Sequence, residues 1–186
     1  LALTASSTGH ILPALHSQAL DAGFVFGPVS EDEPVTTHFL DAIMLCVAAP
    51  AARRDRVMGA DWPALARLPW IESGPDCPFQ AVIDDLFDER GLEYQRAAAT
   101  SNEATRRDLV AAGAGLSLLL RDEAEREPAQ QHKPLPSGEN GIALVDVALG
   151  EGAPLTCPLS IAHHDARAGD PLVKTLVDAI IAAWSS

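Results

Sequence analysis

Short apolar runs alternate along this chain with segments whose apolar residues recur every three or four positions, which predicts alternating strands and helices. The most informative run is residues 22–26, because a short and uniformly apolar run is expected of a strand buried on both faces. Gly27 and Pro28 end this run abruptly, and the ends of such strands are where open α/β sheets bind small molecules. Residues 42–48 form a second run of the same kind.

Residues 1–26 predict a strand–helix–strand unit. Residues 1–5 are apolar enough for a strand, and the hydroxyl residues Ser6, Ser7 and Thr8 that follow are an N-cap signal for a helix. Apolar residues at helical spacing come next, at Ile11, Leu12 and Leu15. Pro13 favours a helix that begins late, because proline is tolerated only in the first turn.

The same order is predicted twice more in the middle of the chain. Strands are expected at residues 70–72, 94–99 and 116–120, with a helix after each of the first two. Pro78 suits the first position of the earlier helix, whose apolar face is Phe79, Val82, Ile83, Leu86 and Phe87. The acidic residues of this helix fall on the other face, where a solvated surface is a stronger expectation than acid–base chemistry: Asp84, Asp85, Asp88 and Glu89. The later helix is capped by the segment 100–102.

The C-terminal part predicts two strands and a last helix. The strands are residues 142–147 and 159–162, and loops are expected at residues 121–141 and 150–153. Asp170 is an N-cap signal, Pro171 suits the first helical position, and one apolar face then contains Leu172, Val173, Leu176, Val177, Ile180, Ile181 and Trp184.

The charge of the chain limits what it can bind. Its 186 residues are 47% hydrophobic, which is enough for a core, but 26 acidic residues outnumber 13 basic ones and give a net charge of −13. Phosphate backbones repel such a segment, so we expect that it does not bind duplex DNA by itself. No apolar run approaches the roughly 20 residues that a bilayer needs, and no signal peptide opens the sequence, so a cytoplasmic location without membrane contact is expected.

Catalytic, metal and cofactor motifs are missing from the sequence. There is no nucleophile elbow and no Walker loop, and the glycines at 113 and 115 lack the dinucleotide-binding pattern. The cysteines, Cys46, Cys77 and Cys157, are too scattered for a disulfide framework or a zinc site, and Cys46 is predicted to be a core residue. His163 and His164 are adjacent, so on a strand they point to opposite faces and are not expected to share a metal.

Four segments resemble, in their order and spacing, the effector-binding domain of LysR-type transcriptional regulators. The first is S-S-T-G-x-I-L-x-A-L followed by L-D-A-G-F-V-F-G, and the others are W-P-A-L-A-R-L-P-W-I, P-F-Q-A-V-I-D-D-L-F and L-V-A-A-G-A-G-L-S-L-L-L. The resemblance covers nearly the whole chain. It implies a regulatory domain that binds a small-molecule effector, is not an enzyme and forms a homodimer or higher homo-oligomer.

The resemblance also implies the architecture, an α/β fold of two Rossmann-like lobes similar to a type 2 periplasmic binding protein. Two crossing segments would join the lobes, with the effector in the cleft. The first lobe would be residues 1–56 plus 157–186, and the second residues 57–156. The family's domain usually opens with one more strand and helix, so residues before Leu1 are expected to be missing. DNA would be bound only through the family's N-terminal helix-turn-helix domain, which this sequence does not contain.

The predicted effector contacts lie in turns that follow strands and open helices. In the first lobe they are Ser6, Ser7 and Thr8, with Phe26 and Pro28 as walls of the cleft; in the second they are Ser73, Asp76, Cys77, Phe79 and, more weakly, Thr100. Hydroxyl groups and helix N-terminal amides favour an acidic or strongly polar effector, although neither of the two main turns contains Arg or Lys. Ordinary helix capping is the competing interpretation.

Two other functions stay open on the sequence alone. A solute-binding protein of a transport system would have the same cleft and an export signal. An enzyme of the prephenate-dehydratase or deaminase type would use a similar two-lobe scaffold, and the missing catalytic residues count against it. An upstream helix-turn-helix would favour the regulator, an upstream signal peptide the transport protein, and turnover the enzyme.

Overall fold

The computed structural model describes residues 2–4, 6–122, 141–146 and 154–185, and its contacts divide the chain into two compact units. Unit 1 is Leu1–Ile43, Asp76–Pro78 and Cys157–Ser186, and unit 2 is Met44–Pro75 and Phe79–Thr156. The main divisions between the units fall after Ile43 and between residues 156 and 157. Most of the two loops predicted at residues 121–141 and 150–153 lies outside the described residues.

Helices and strands alternate through the described part of the chain. The helices are α1 (Thr8–His16), α2 (Arg54–Val57), α3 (Trp62–Ala66), α4 (Pro78–Asp88), α5 (Glu103–Ala111) and α6 (Pro171–Trp184). The strands are β1 (Gly23–Phe26), β2 (Val35–Pro50), β3 (Pro69–Glu72), β4 (Gln95–Ala99), β5 (Ser117–Leu120), β6 (Ile142–Val145) and β7 (Thr156–His164). Short 3-10 turns cover Ala51–Arg53 and Asp165–Arg167.

Unit 1 is a small sheet with a helix on each face. Strand β7 lies between β1 and the first part of β2, and it is antiparallel to β1, with Gly23 opposite Ala162. On one face, Leu15 of α1 packs with Val25 and Ala162. On the other, Ile161 packs with residues of α6, of which Val173 and Val177 are buried.

Four predictions for unit 1 are wrong. Residues 2–4 form no strand, because a strand needs a partner for its backbone groups and no strand of the described residues pairs with them. Strand β1 is not buried on both faces, since Phe24 is 41% exposed at the margin of α6, where its ring lies 6.0 Å from that of Trp184. Helix α1 does not begin late, since it starts at Thr8 and contains Pro13. Leu172 was predicted to lie on the apolar face of α6, but it is 80% exposed.

Unit 2 contains the predicted strand–helix–strand repeats. Strand β3 is parallel to β4, with Glu72 opposite Ala99, and a parallel bridge from Trp70 to Leu116 places β5 on the other side of β3. The second part of β2 is antiparallel to both β5 and β6. Cys46 belongs to the buried cluster at this centre, as predicted. Because β3 and β4 are parallel, the loops that follow them leave the sheet at the same edge.

The N-cap of α6 allows a test of the fold. Asp170 accepts hydrogen bonds from the backbone N–H groups of Leu172 and Val173, at 2.8 and 3.5 Å. The bond from Leu172 is the main reason why the pKa of Asp170 lies below its usual value, and Arg167 acts in the same direction. A carboxyl group with a lowered pKa stabilises the fold above its ordinary pKa, and this contribution is lost as the pH falls through the lowered value.

We therefore expect Asp170→Ala to lower the melting temperature at neutral pH. The difference in melting temperature from the wild type should shrink in acid, where the wild-type carboxylate becomes protonated and loses its stabilising charge. Asp170→Asn is the matched control, since its amide oxygen can still cap the helix. Thermal unfolding followed by circular dichroism between neutral and acidic pH measures both effects. An unchanged melting temperature for Asp170→Ala at neutral pH would contradict this role for the cap.

Candidate functional site

The loops after β3 and β4 bring two of the predicted effector contacts together in unit 2. The N–H of Thr100 donates to the carbonyl oxygen of Glu72 at 3.0 Å, so the pairing continues to the ends of both strands. Just beyond, Gly74 lies beside Ser101, whose Cβ would be 3.8 Å from a Cβ placed on Gly74. Ser73 and Thr100 therefore lie at one edge of the sheet, where the helices α4 and α5 begin nearby.

Ser73 has a buried hydroxyl group that forms no hydrogen bond within the described residues. The residue is 2% exposed, and its Oγ has no hydrogen-bond partner among the described residues. Leaving such a group unpaired costs on the order of 1–3 kcal/mol. Its backbone N–H, by contrast, donates to Oε1 of Gln80 at 3.1 Å. The loop is thus held through its backbone, whereas the hydroxyl group forms no hydrogen bond within the described residues.

Gln80 connects this loop to a polar cluster that the sequence analysis did not identify. Its buried amide group donates to Tyr94 Oη at 2.8 Å and to Asp84 Oδ1 at 3.1 Å, and Tyr94 O–H donates to the same Asp84 oxygen at 2.6 Å. Arg96 forms ion pairs with Asp84 and with Glu72. Burial, followed by the hydrogen bond to Asp84, raises the pKa of Tyr94 well above its ordinary value. Asp84 was expected on a solvated face, but here it anchors the support of the Ser73 loop.

Capping explains part of the Thr100 segment. Oδ1 of Asn102 accepts the N–H of Thr105 at 2.9 Å, so Asn102 is the residue that caps α5. Thr100 Oγ1 accepts the N–H of Asn102 at 3.2 Å, which leaves its own hydroxyl proton to donate elsewhere. Thr100 is therefore a possible second hydroxyl donor beside Ser73.

The hydroxyl residues at the start of α1 are not ordinary caps. Ser7 is the N-cap residue, but its side chain forms no capping hydrogen bond, and its Oγ is bonded to Nδ1 of His10 at 2.8 Å. Thr8 is buried, and its Oγ1 accepts the N–H of Phe26 at 3.0 Å. Thr8 therefore connects the first turn of α1 to the end of β1, whereas Ser6 and Ser7 stay exposed.

Two glycines of unit 1 let the segment Asp76–Pro78 approach this turn closely. A Cβ on Gly9 would lie 2.3 Å from the Cβ of Asp76, and one on Gly27 would lie 2.9 Å from the Cβ of Pro78. Gly27 also has a φ of 83°, which disfavours any other residue. Asp76 and Cys77 are thus brought beside the Ser6–Thr8 turn, as part of unit 1. The carboxylate of Asp76 adds negative charge there, which favours hydroxyl groups of a ligand over a second anion.

The remaining predicted contacts differ in their accessibility. Pro28 is exposed and Phe26 is partly exposed, whereas Phe79 is only 6% exposed and packs in the interior of unit 2. Burial raises the pKa of the Cys157 thiol to about 11, although a hydrogen bond from the backbone of Gly27 opposes this effect. Cys157 is consequently a neutral thiol at physiological pH and a poor nucleophile.

Among the described residues, no group of three or more His, Cys, Asp or Glu side chains is arranged to hold a metal ion. Their helices also include none that is long and apolar enough to cross a membrane.

Parallel strands that end in hydroxyl-bearing loops, with helices beginning at the same edge, define a ligand-binding α/β protein. The sequence matches the model of the LysR substrate binding domain over residues 1–185, so the chain belongs to that family. The resemblance found in the four sequence segments is thereby confirmed, and with it the expectation of an effector-binding domain of the LysR type.

Solved structures of the same fold support this assignment. The effector-binding domain of QuiR in complex with shikimate has a TM-score of 0.76 and 14% identity, with 97% of this chain and 79% of that chain covered. The CcmR regulatory domain of Synechocystis PCC6803 in complex with 2-PG has a TM-score of 0.73 and 14% identity, covering 96% and 80%. The BenM effector-binding domain with benzoate has a TM-score of 0.65 and 20% identity, covering 96% and 77%. No curated protein sequence matches the chain significantly.

The bond between Thr8 and Phe26 can be tested without a ligand. Thr8→Val keeps the shape of the side chain but cannot accept the N–H of Phe26, so we expect the free energy of unfolding to fall by about 0.5–1.5 kcal/mol. Thr8→Ser is the control, because it keeps the acceptor. Urea denaturation measures both variants. Equal stability of the wild type and Thr8→Val would show that this bond does not hold α1 to β1.

Proposed function

We propose that this chain is the sensory domain through which a LysR-type transcriptional regulator responds to a small organic effector, passing the signal to a separate DNA-binding domain. The family match over residues 1–185 supports sensing rather than transport. The observation that most supports a particular binding site is the buried, unpaired hydroxyl group of Ser73 at the carboxyl end of β3. A group that is costly to leave unpaired inside a protein is one that a ligand can satisfy.

The effector that we propose is a small, polar organic acid that carries hydroxyl groups or another polar substituent. The neighbouring structures contain shikimate, 2-PG and benzoate, which indicates the size and polarity of molecules that this fold accommodates. In this chain the candidate groups are mainly hydroxyls and helix N-termini, and Asp76 disfavours an anion beside α1. We therefore assign the acidic group of the effector to the Ser73 and Thr100 loops of unit 2.

Each unit offers its own candidate contacts for an effector. In unit 2 they are Ser73 and Thr100. In unit 1 they are Ser6, Ser7, Asp76 and Cys77, with Thr8 in a positioning role and Phe26 and Pro28 as apolar surface. Phe79 contributes through packing, because its ring is almost fully buried.

Partners and location follow from the same proposal. A net charge of −13 disfavours DNA binding by this segment, so we assign DNA binding to a separate domain. We propose a cytoplasmic protein that works as a homodimer or higher homo-oligomer, since pairing would cover exposed sheet edges and a closed two-fold interface is the commonest form of oligomer. Neither catalysis nor a cofactor is part of the proposed effector response.

Replacing Ser73 separates a ligand contact from a structural role. Ser73→Ala removes an unpaired hydroxyl group, so the melting temperature should stay the same or rise, while binding weakens by about 0.5–1.5 kcal/mol for one lost hydrogen bond. Thermal shift against a panel of small carboxylates headed by shikimate and benzoate identifies a binder, and calorimetry then compares the variants.

Ser117→Ala is the matched control for Ser73→Ala. Ser117 is a buried serine of the same unit, and its Oγ donates to the carbonyl oxygen of Ile71 at 2.9 Å. Its loss should lower the melting temperature and leave binding unchanged. If Ser73→Ala were as destabilised as Ser117→Ala and bound the carboxylate as tightly as the wild type, Ser73 would be a structural residue and this site would be wrong.

A further inference from the structure

We propose that His38 and His163, which face each other across two strands of unit 1, form a binding site for a divalent late transition metal ion such as Zn²⁺. The pair lies outside the proposed effector contacts, and the inference does not depend on the effector. His38 belongs to β2 and His163 to β7, 125 positions apart in the sequence. Imidazole nitrogens are preferred ligands of Zn²⁺, Cu²⁺ and Ni²⁺.

The separation of the two ring nitrogens suits a shared ion. Nε2 of His38 and Nε2 of His163 are 3.3 Å apart, and the ring centroids are separated by 5.5 Å. Two imidazole nitrogens bound tetrahedrally to one zinc ion, each at about 2.0–2.1 Å, are about 3.3–3.4 Å apart. The backbone therefore already holds the donors at the required distance, and a small rotation of the rings is enough to aim both lone pairs at one ion.

The tautomer of His163 is fixed in the form that a metal ligand needs. Its Nδ1 lies 3.0 Å from the carbonyl oxygen of His164, which can only accept, so Nδ1 carries the proton. The lone pair of Nε2 consequently faces His38. Metal-binding histidines are commonly oriented in this way, by a hydrogen bond from the other ring nitrogen to a backbone carbonyl.

Without a metal ion, the pair is satisfied by a hydrogen bond. The neutral His38 ring donates from Nε2–H to Nε2 of His163, which accounts for the contact. When an ion binds, His38 carries its proton on Nδ1 instead, and both Nε2 atoms become ligands.

The surroundings favour an exchangeable ion. His163 is 5% exposed, whereas His38 is partly exposed and gives the ion access to solvent. The carboxylate of Asp165, which accepts a hydrogen bond from Thr36 Oγ1 at 2.7 Å, adds negative charge further along the same strands. Since the described residues offer no cluster of three ligands, water would complete the coordination shell. Such a site binds reversibly, unlike the four-ligand sites that hold structural zinc.

Titration of the chain with Zn²⁺, followed by calorimetry, tests this site. We expect one equivalent to bind, and both His38→Ala and His163→Asn to weaken binding about tenfold or more, the scale seen when even the supporting shell of a metal site is lost. His10→Ala is the control, because it removes an exposed imidazole elsewhere in unit 1 and should bind Zn²⁺ like the wild type.

His38→Ala decides the result if His163→Asn does not fold, since His38 is the less buried partner. Tetrahedral Co²⁺ absorption in the wild type, absent in His38→Ala, would support the geometry independently. The proposal is overturned if the wild type takes up no Zn²⁺, if His38→Ala binds it as tightly as the wild type, or if His10→Ala abolishes binding.

Discussion

The parallel pairing of β3 with β4 is the constraint on which the candidate site depends. It places Ser73 and Thr100 at one edge of the sheet. An aromatic cluster supports the pairing from below, where Phe87 lies 5.5 Å from Trp70 and 4.8 Å from Tyr94 between ring centroids. Tyr94 also hydrogen bonds to Gln80, which holds the backbone of Ser73. The aromatic core and the Ser73 loop are thus connected by one hydrogen-bond network. A substitution in the aromatic cluster should therefore shift the position of the Ser73 hydroxyl group.

In unit 1, close backbone packing holds the turn before α1 and the end of β1 in place. Gly9 and Gly27 leave no space for a side chain, and this lets Asp76 and Pro78 lie against the start of α1 and the end of β1. Thr8 contributes a hydrogen bond to the N–H of Phe26 in the same region. These two glycines belong to the G-x-I-L and F-V-F-G segments that resemble the family. Their presence has a physical explanation, because any side chain at either position would displace the segment Asp76–Pro78.

Periodicity and capping signals predicted α4, α5, α6 and the parallel strands of unit 2, because each depends on residues close together in the sequence. The opening strand was predicted wrongly, since apolar character does not supply a pairing partner. Contacts between distant residues left no local signal. The sequence suggests only the adjacent His164 as a neighbour of His163, whereas the ring that contacts His163 is that of His38 on another strand. Asp84 was assigned to a solvated face, because the position of Tyr94 over α4 is a tertiary contact.

The most direct test of effector sensing at these loops is amide chemical-shift mapping of the ¹⁵N-labelled chain, titrated with the small carboxylate that gives the largest thermal shift. Effector binding by the hydroxyl-bearing loops of unit 2 predicts that the largest shift changes fall on Ser73, Gly74, Thr100 and Ser101. Changes centred on the opposite ends of β3 and β4, with these loops unaffected, would contradict it.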